Sequence, residues 1–131
     1  MSVAAVIEEI EGIVGRDRLI THGDALTTYE SDGLLQYKSR PGAVVLPDST
    51  DEVSRIAAIC HRARIPWVAR GSGTGLSGGA LPIEEGVLIV LSRMRSILEI
   101  DFANQRVVVE PGVGEAQFFL ERQEARSTSR R

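Results

Sequence analysis

Five glycines fall within residues 70–80, and this run constrains the fold more than any other part of the sequence. Because glycine has no Cβ, such a run lets the backbone adopt positive φ angles and lets consecutive N–H groups converge on an anion. Two apolar, strand-like runs flank it closely, at residues 65–69 and 86–91. A flexible linker is the alternative interpretation, but linkers join domains more often than neighbouring strands. The pattern therefore predicts a loop that binds phosphate.

The composition of the 131-residue chain fits a soluble globular domain or part of one, with 43% hydrophobic residues and a net charge of −3. The arginines are scattered rather than gathered into a stripe, and aromatic platforms for stacking bases are missing, so we expect no nucleic-acid partner. The longest apolar run is far shorter than the ~20 residues of a membrane helix, and the N-terminus is acidic where a signal peptide is basic. We therefore predict a cytoplasmic protein without a transmembrane segment. The single cysteine, Cys60, excludes an internal disulfide and a cysteine-rich metal site.

The chain on either side of the glycine run predicts both helices and strands. Helical spacing of apolar residues predicts a helix over residues 3–14, and a capping box that begins at Ser49 predicts a second helix. Strands are predicted over residues 41–47, 65–69 and 86–91, and a hairpin from residues 97–101 and 106–110. A helix between two strands implies a right-handed crossover and a parallel pair. The glycine run then leaves the carboxyl end of a strand, where open α/β sheets bind ligands.

Two familiar phosphate loops fit this run poorly. Fourteen arginines accompany one lysine, Lys38, which does not follow the glycines, so a Walker-type loop is excluded. Residues 73–78 match the dinucleotide fingerprint G-x-G-x-x-G, and Glu99 lies near the distance of a ribose-binding acid. That fingerprint requires a helix after its glycines, and Gly79 and Pro82 leave no room for one.

The remaining interpretation is a backbone nest without a following helix. In it, the N–H groups of residues 71–77 face a pyrophosphate, and the hydroxyls of Ser72, Thr74 and Ser77 supply further donors. The residues therefore point to a pyrophosphate-containing ligand and leave its identity open.

Three stretches of the sequence resemble a known family, at residues 47–53, 67–80 and 109–113. They are similar to the start of FAD-linked oxidases and dehydrogenases of the PCMH-type flavoprotein superfamily. Within it, the chain most resembles the FAD-linked D subunit of bacterial glycolate oxidase and its D-lactate dehydrogenase relatives, which share residues 29–33 and 80–82. The resemblance implies an α+β fold, the N-terminal part of the PCMH-type FAD-binding domain, with a β-α-β unit followed by strands and a hairpin.

The resemblance also implies FAD as cofactor, with its pyrophosphate wrapped by backbone amides of the glycine run. Thr74 stands where relatives with covalent flavin have a histidine, so noncovalent FAD is implied. No catalytic and no metal-binding residue is assigned, and His22, His61 and Cys60 are interpreted as surface or packing residues. The candidate cofactor-binding residues are Arg70, Gly71, Ser72, Gly73, Thr74, Gly75, Leu76, Ser77, Gly78 and Gly79.

The predicted organisation is an N-terminal helix and lead-in over residues 1–40, an FAD-binding PCMH-type subdomain over 41–113, and a divergent, disordered tail over 114–131. Members of the family continue into a second FAD-contacting stretch and a substrate-capping domain, which we do not find here. We therefore expect the FAD-binding portion of a flavin-dependent glycolate or D-lactate oxidoreductase, truncated and inactive alone. Expected partners are FAD and other glycolate-oxidase-type subunits, through which the protein would be peripheral to the inner membrane. The alternatives are a stand-alone phosphate- or nucleotide-binding module and an accessory interaction subunit.

Overall fold

A computed structural model describes residues 3–30, 39–72, 74 and 78–129. The chain divides into two compact units, Met1–Arg93 and Met94–Arg131. The first contains the helices and sheet that precede and follow the glycine run, and the second contains the predicted hairpin and a C-terminal helix. The domain boundaries predicted from the sequence, 1–40, 41–113 and 114–131, remain predictions.

The first unit contains two α-helices and four short strands. Its helices are α1 (Ile7–Val14) and α2 (Thr50–Arg62), and 3-10 turns cover Val3–Ala5, Arg16–Arg18 and Asp24–Tyr29. Its strands are β1 (Leu19–Ile20), β2 (Ala43–Val45), β3 (Trp67–Arg70) and β4 (Val87–Val90). Each predicted element of this unit is therefore present, with shorter bounds than the sequence pattern suggested.

The sheet has the strand order β1-β2-β4-β3. β1 is antiparallel to β2, whereas β2, β4 and β3 are parallel. The prediction that the strands on either side of α2 form a parallel pair is wrong in one respect, because β4 lies between them. The physical reason is burial: all four β4 residues are buried, and a strand that is apolar on both faces is most stable at the centre of a sheet.

Two hydrophobic clusters cover the opposite faces of this sheet. The larger one joins α1 and α2 to the sheet through residues such as Ile10, Ile56, Val45 and Ile89. The smaller one gathers the alternate strand residues Val44, Leu88 and Val90 with Leu26 from the 3-10 turn. Successive strand residues point to opposite faces, so β2 and β4 supply both clusters. The parallel strands are therefore held rigidly between two apolar layers.

The ends of the two helices follow from local chemistry. Gly15 ends α1 with a φ of 82°, a left-handed angle that favours glycine, and its N–H donates to the Glu11 carbonyl. Ser49 is the N-cap of α2, and its side chain accepts a hydrogen bond from the Glu52 N–H at 3.2 Å. The Glu52 carboxylate reaches back to the Asp48 N–H at 2.7 Å, one residue before the N-cap. The predicted capping box is thus confirmed, with its return bond displaced by one residue.

The second unit is a hairpin of β5 (Ile97–Asp101) and β6 (Arg106–Val109), followed by α3 (Glu115–Ser129). The strands are antiparallel, with a register irregularity between Ile97 and Glu99. Asn104 shapes the turn, since its N–H and side-chain amide donate to the Asp101 carboxylate at 3.0 and 2.8 Å. The predicted hairpin is therefore confirmed.

Helix α3 covers most of the segment that the sequence analysis expected to be a disordered tail. That expectation differs from the structure, because the segment is rich in Glu, Ala, Gln and Arg, which favour helix. Side-chain contacts support the helix. Gln117 donates to the Arg95 carbonyl at 2.5 Å, and the Arg126 guanidinium lies 5.6 Å from the centre of the Phe102 ring. Among the described residues, no helix has the length and apolar character needed to span a membrane.

Candidate functional site

Arg70 anchors the start of the glycine run. It is the last residue of β3, at the carboxyl edge of the three parallel strands, and its carbonyl accepts from the Leu91 N–H at 2.8 Å. Its side chain is buried, and the guanidinium donates to the Ala80 carbonyl through Nε at 3.1 Å and Nη2 at 2.8 Å. Charge-assisted hydrogen bonds of this kind are stronger than neutral ones. The two ends of the run, residues 70 and 80, are therefore held together by one side chain.

The described residues between these ends expose polar groups. Ser72 and Thr74 are exposed, and their hydroxyl oxygens lie 3.0 Å apart. Gly78 has a φ of 77°, which only glycine adopts without strain, and its carbonyl accepts from the Leu81 N–H at 3.2 Å. Of the predicted cofactor-binding residues, Gly73, Gly75, Leu76 and Ser77 lie outside the described residues.

Gly86 and Gly79, two glycines near the sheet, differ in the space around their backbone. A Cβ at Gly86 would lie 2.6 Å from the Pro66 carbonyl oxygen, so packing of the fold itself requires glycine there. A Cβ at Gly79 would meet no described atom within 4 Å, and Gly79 has no positive φ. A Cβ at Gly12 or Gly114 likewise meets no described atom within 4 Å, so the open space at Gly79 shows that the described residues leave room beside its backbone.

The segment after the run contains no helix over its described residues 78–86, where the chain forms turns. A dinucleotide fingerprint of the nicotinamide type needs a helix N-terminus at this point. The structure therefore agrees with the interpretation of the run as a loop without a following helix.

A four-residue ion-pair network lies at the same carboxyl edge of the sheet. Arg18 binds both carboxylate oxygens of Glu52 at 2.9 Å and one oxygen of Asp48 at 2.8 Å. Arg93, which follows β4, binds the other Asp48 oxygen at 2.6 Å. Two arginines thus face two carboxylates, and the network is close to neutral. The network therefore adds little net positive charge to this edge of the sheet.

The network changes the acidity of its members. The hydrogen bond from Arg93 lowers the pKa of Asp48, and the hydrogen bonds from Arg18 lower the pKa of Glu52. The same bond to Glu52 raises the pKa of Arg18. The Ser49 and Glu52 cap was predictable from the sequence, whereas Arg18 and Arg93 were not. No local pattern signals them, because Arg18 is 34 residues from Glu52 and Arg93 is 45 residues from Asp48.

The other candidate reactive groups do not form a site. Cys60 is buried on α2, where desolvation raises the pKa of its thiol. His22 and His61 are both exposed, and the His22 ring nitrogen Nδ1 lies 2.9 Å from the Thr21 hydroxyl, within hydrogen-bond distance. Within the part of the chain that the structure describes, no cluster of three or more His, Cys, Asp or Glu side chains has the arrangement of a metal site.

A family model described as an FAD binding domain matches residues 41–125, which is more than half of the chain. The chain belongs to this FAD-binding domain family. FAD is therefore the cofactor that the family binds. The match extends past Val113, so the expectation that the family resemblance ends there is wrong.

Curated relatives that are similar to this chain are named as oxidoreductases. Glycolate oxidase subunit GlcD of Escherichia coli (strain K12) is 53% identical over 95 residues, covering 72% of this chain and 19% of the relative. The probable mitochondrial D-lactate dehydrogenase of Danio rerio is 34% identical over 113 residues, covering 86% of this chain and 22% of the relative. The chain thus spans about a fifth of the length of these relatives.

The solved structure of p-cresol methylhydroxylase with substrate bound has the same fold. It superimposes with a TM-score of 0.82 at 25% identity, over 94% of this chain and 25% of that protein. This similarity confirms the predicted α+β fold of the PCMH-type FAD-binding domain.

Proposed function

We propose that this chain is the pyrophosphate-binding portion of the FAD-binding domain of a flavin-dependent 2-hydroxy-acid oxidoreductase, with glycolate or D-lactate as the substrate class. The observation that carries the proposal is the family match over residues 41–125, which contains the whole glycine run. The names of the relatives, glycolate oxidase subunit and D-lactate dehydrogenase, support the substrate class.

The proposed cofactor-binding residues are those of the glycine run, from Arg70 to Gly79. Backbone N–H groups and the exposed Ser72 and Thr74 hydroxyls would hold the pyrophosphate, while the buried Arg70 side chain keeps the ends of the loop closed. Because Thr74 stands where relatives with covalent flavin have a histidine, binding is noncovalent. FAD supplies the two-electron acceptor for oxidation of the hydroxyl carbon when it is bound.

The first experiment is a calorimetric titration of the purified chain with FAD, ADP and riboflavin. Because the loop recognises pyrophosphate, we expect heat of binding with FAD and none with riboflavin. Tight binding of ADP that equals the binding of FAD would favour the stand-alone nucleotide-binding module instead. Binding of riboflavin as strong as that of FAD would contradict the pyrophosphate assignment.

A matched pair of variants locates the site. Gly79→Asp places a carboxylate where the structure has open space, so the fold is kept and the pyrophosphate is repelled. We expect the Kd for FAD to rise at least about tenfold, which corresponds to about 1.4 kcal/mol. Gly12→Asp is the control, because a Cβ at Gly12 also meets no atom within 4 Å and this residue lies on helix α1, outside the run. Equal loss of FAD binding in both variants would contradict the proposed site.

A partner subunit is the second part of the proposal. The Escherichia coli relative is named as a subunit of glycolate oxidase, and we propose that this chain likewise acts with other subunits of that type. Co-purification of the tagged chain with the products of neighbouring genes tests this. A stable complex that forms equally well after removal of FAD and with Gly79→Asp would favour a purely accessory interaction role.

A further inference from the structure

Strand pairing fixes the first end of the glycine run. Arg70 is the last residue of β3 and pairs with Val90 of β4 in the parallel register. Its carbonyl accepts a hydrogen bond from the Leu91 N–H at 2.8 Å. All four residues of β4 are buried, between the two hydrophobic clusters of the sheet. The backbone of residue 70 is therefore held in place by a fully buried strand of the first unit.

The second end of the run, at residue 80, lies in a segment of different character. Its described residues 78–86 contain neither helix nor strand, and β4 begins only at Val87. The Leu81 N–H donates to the Gly78 carbonyl at 3.2 Å, which closes a local turn but does not join the run to the sheet. A loop whose ends can separate costs more conformational entropy to order around a ligand. Contacts other than strand pairing must therefore set the position of Ala80.

The Arg70 side chain supplies such a contact. Its Nε and Nη2 donate to the Ala80 carbonyl oxygen at 3.1 and 2.8 Å, and the residue is only 5% exposed. Two N–H groups of one planar guanidinium fix both the distance and the direction of the bonded oxygen. Away from water, charge-assisted hydrogen bonds of this kind are stronger than at the surface. A lysine would bring the same charge on a single nitrogen, without the planar pair of donors.

We propose that Arg70 is a positioning residue, which acts through the Ala80 carbonyl and fixes the separation of the two ends of the glycine run before a ligand binds. Its side chain then contributes to affinity by preorganisation, because a loop with fixed ends loses less entropy when it orders around a pyrophosphate. The residues that make these contacts lie between residues 67 and 91, within the first unit. The identity of the ligand rests on the proposed function, whereas the role of Arg70 in the free protein does not.

Two variants of the full chain test the closure without any ligand. Arg70→Met keeps an extended side chain and removes the donors, whereas Arg70→Lys keeps the charge and removes the planar pair of N–H groups. Backbone order parameters from ¹⁵N relaxation should be about 0.85 at Ala80 and Leu81 in wild type and below about 0.6 in both variants. The Leu91 N–H, which is bonded to the Arg70 carbonyl, is the internal control and should stay rigid.

Two results would overturn the proposal at this stage. Order parameters of Ala80 and Leu81 that equal those of wild type in both variants would show that the contact does not hold the loop. An equal loss of order at Leu91 in both variants would show that Arg70 supports the sheet as a whole rather than the position of the run.

Calorimetric titration with inorganic pyrophosphate tests the consequence for affinity. Arg70→Lys keeps the net charge, yet we expect its Kd to rise at least about tenfold. Arg62→Met is the charge control, because Arg62 is an exposed residue at the end of α2 that pairs with Glu9 at 2.7 Å, and its Kd should equal that of wild type.

The outcomes of this titration separate the role of Arg70 from the proposed function. A wild-type Kd in Arg70→Lys, with weak binding in Arg70→Met, would show that Arg70 acts through its charge and would overturn the positioning role. A wild-type chain that binds no pyrophosphate would contradict the proposed function, and the order parameters would still decide whether Arg70 holds the run closed.

Discussion

Strands β4 and β6 have similar compositions and opposite surroundings. β4 (Val87–Val90) has exposed fractions between 0% and 4%, whereas the three valines of β6 are 36–43% exposed. β4 has a strand on each side and a hydrophobic cluster on each face, while β6 has one neighbouring strand among the described residues. The first unit therefore buries its apolar strand, whereas the valines of β6 stay partly exposed among the described residues.

The first prediction compares truncation in the two strands. Leu88→Ala removes a fully buried side chain and should lower the free energy of unfolding by about 2–5 kcal/mol. Val108→Ala removes a side chain that is 43% exposed, and we expect a loss below about 1 kcal/mol. Urea unfolding followed by circular dichroism measures both. Equal losses would break the distinction between the two strands.

The second prediction concerns glycine at the entrance of β4. Gly86→Ala places a Cβ 2.6 Å from the Pro66 carbonyl oxygen, and the backbone must shift to accept it. We expect a loss of about 1–3 kcal/mol in the free energy of unfolding, as for other overpacked sites. Gly114→Ala, in the second unit, is the matched control because its Cβ meets no atom within 4 Å. If Gly86→Ala leaves the free energy of unfolding unchanged, the backbone at the start of β4 shifts more easily than the structure indicates.

The third prediction contrasts ion pairs in the two units. Glu52→Gln removes the charge that Arg18 binds twice, and the expected loss is about 1–2 kcal/mol at neutral pH. Arg106→Gln removes an exposed, longer pair with Asp101 and should leave the stability unchanged. Thermal unfolding of both variants beside wild type measures the contrast. If Arg106→Gln lowers the stability more than Glu52→Gln does, the predicted contrast between the two ion pairs is wrong.

The acidity of the same network adds a pH dependence. The pKa values of Asp48 and Glu52 are lowered in the folded state, so their stabilising effect is present above the unfolded pKa values of about 4. It is lost as the pH falls through the lower folded values. Stability measured between neutral and strongly acidic pH should therefore decline on acidification, and Glu52→Gln should flatten part of that decline. An identical pH profile for wild type and Glu52→Gln would argue against the network.

The smallest expected effect is at the cap of α2. Ser49→Ala removes the acceptor for the Glu52 N–H and should cost about 1 kcal/mol. Ser49→Asp keeps an acceptor at this position and should restore wild-type stability. If both variants unfold at the wild-type urea concentration, the cap does not contribute to the stability of the first unit.

Local patterns predicted most elements of the fold, and long-range contacts account for what they missed. The helical spacing and cap of α2, the apolar run of β4 and the hairpin turn are encoded by neighbouring residues. The place of β4 between β2 and β3 depends on burial in the whole sheet, which the order of strands along the chain does not reveal. Helix α3 was underestimated because the arginines and serines at its end were interpreted as tail composition.

Only part of the candidate site was predictable from the sequence. The glycine run predicted a phosphate-binding loop, and the lack of a lysine and of a following helix then favoured a pyrophosphate nest, whose residues remain a prediction. The Arg70–Ala80 closure and the Arg18 and Arg93 contacts were not predictable, since each joins residues that only folding brings together. The open space beside Gly79 and the close contact at Gly86 also required coordinates, because glycine looks alike in sequence in both settings.

The most direct test of the central claim is an amide NMR titration of the ¹⁵N-labelled chain with FAD. If the glycine run binds the pyrophosphate, the N–H signals of Gly71, Gly73, Gly75, Gly78 and Gly79 should shift in a saturable way. The signals of Gly12 and Gly114 should stay in place. Saturable shifts confined to other glycines, or no shift in the run at FAD concentrations that saturate binding, would contradict the assignment of this loop as the flavin pyrophosphate site.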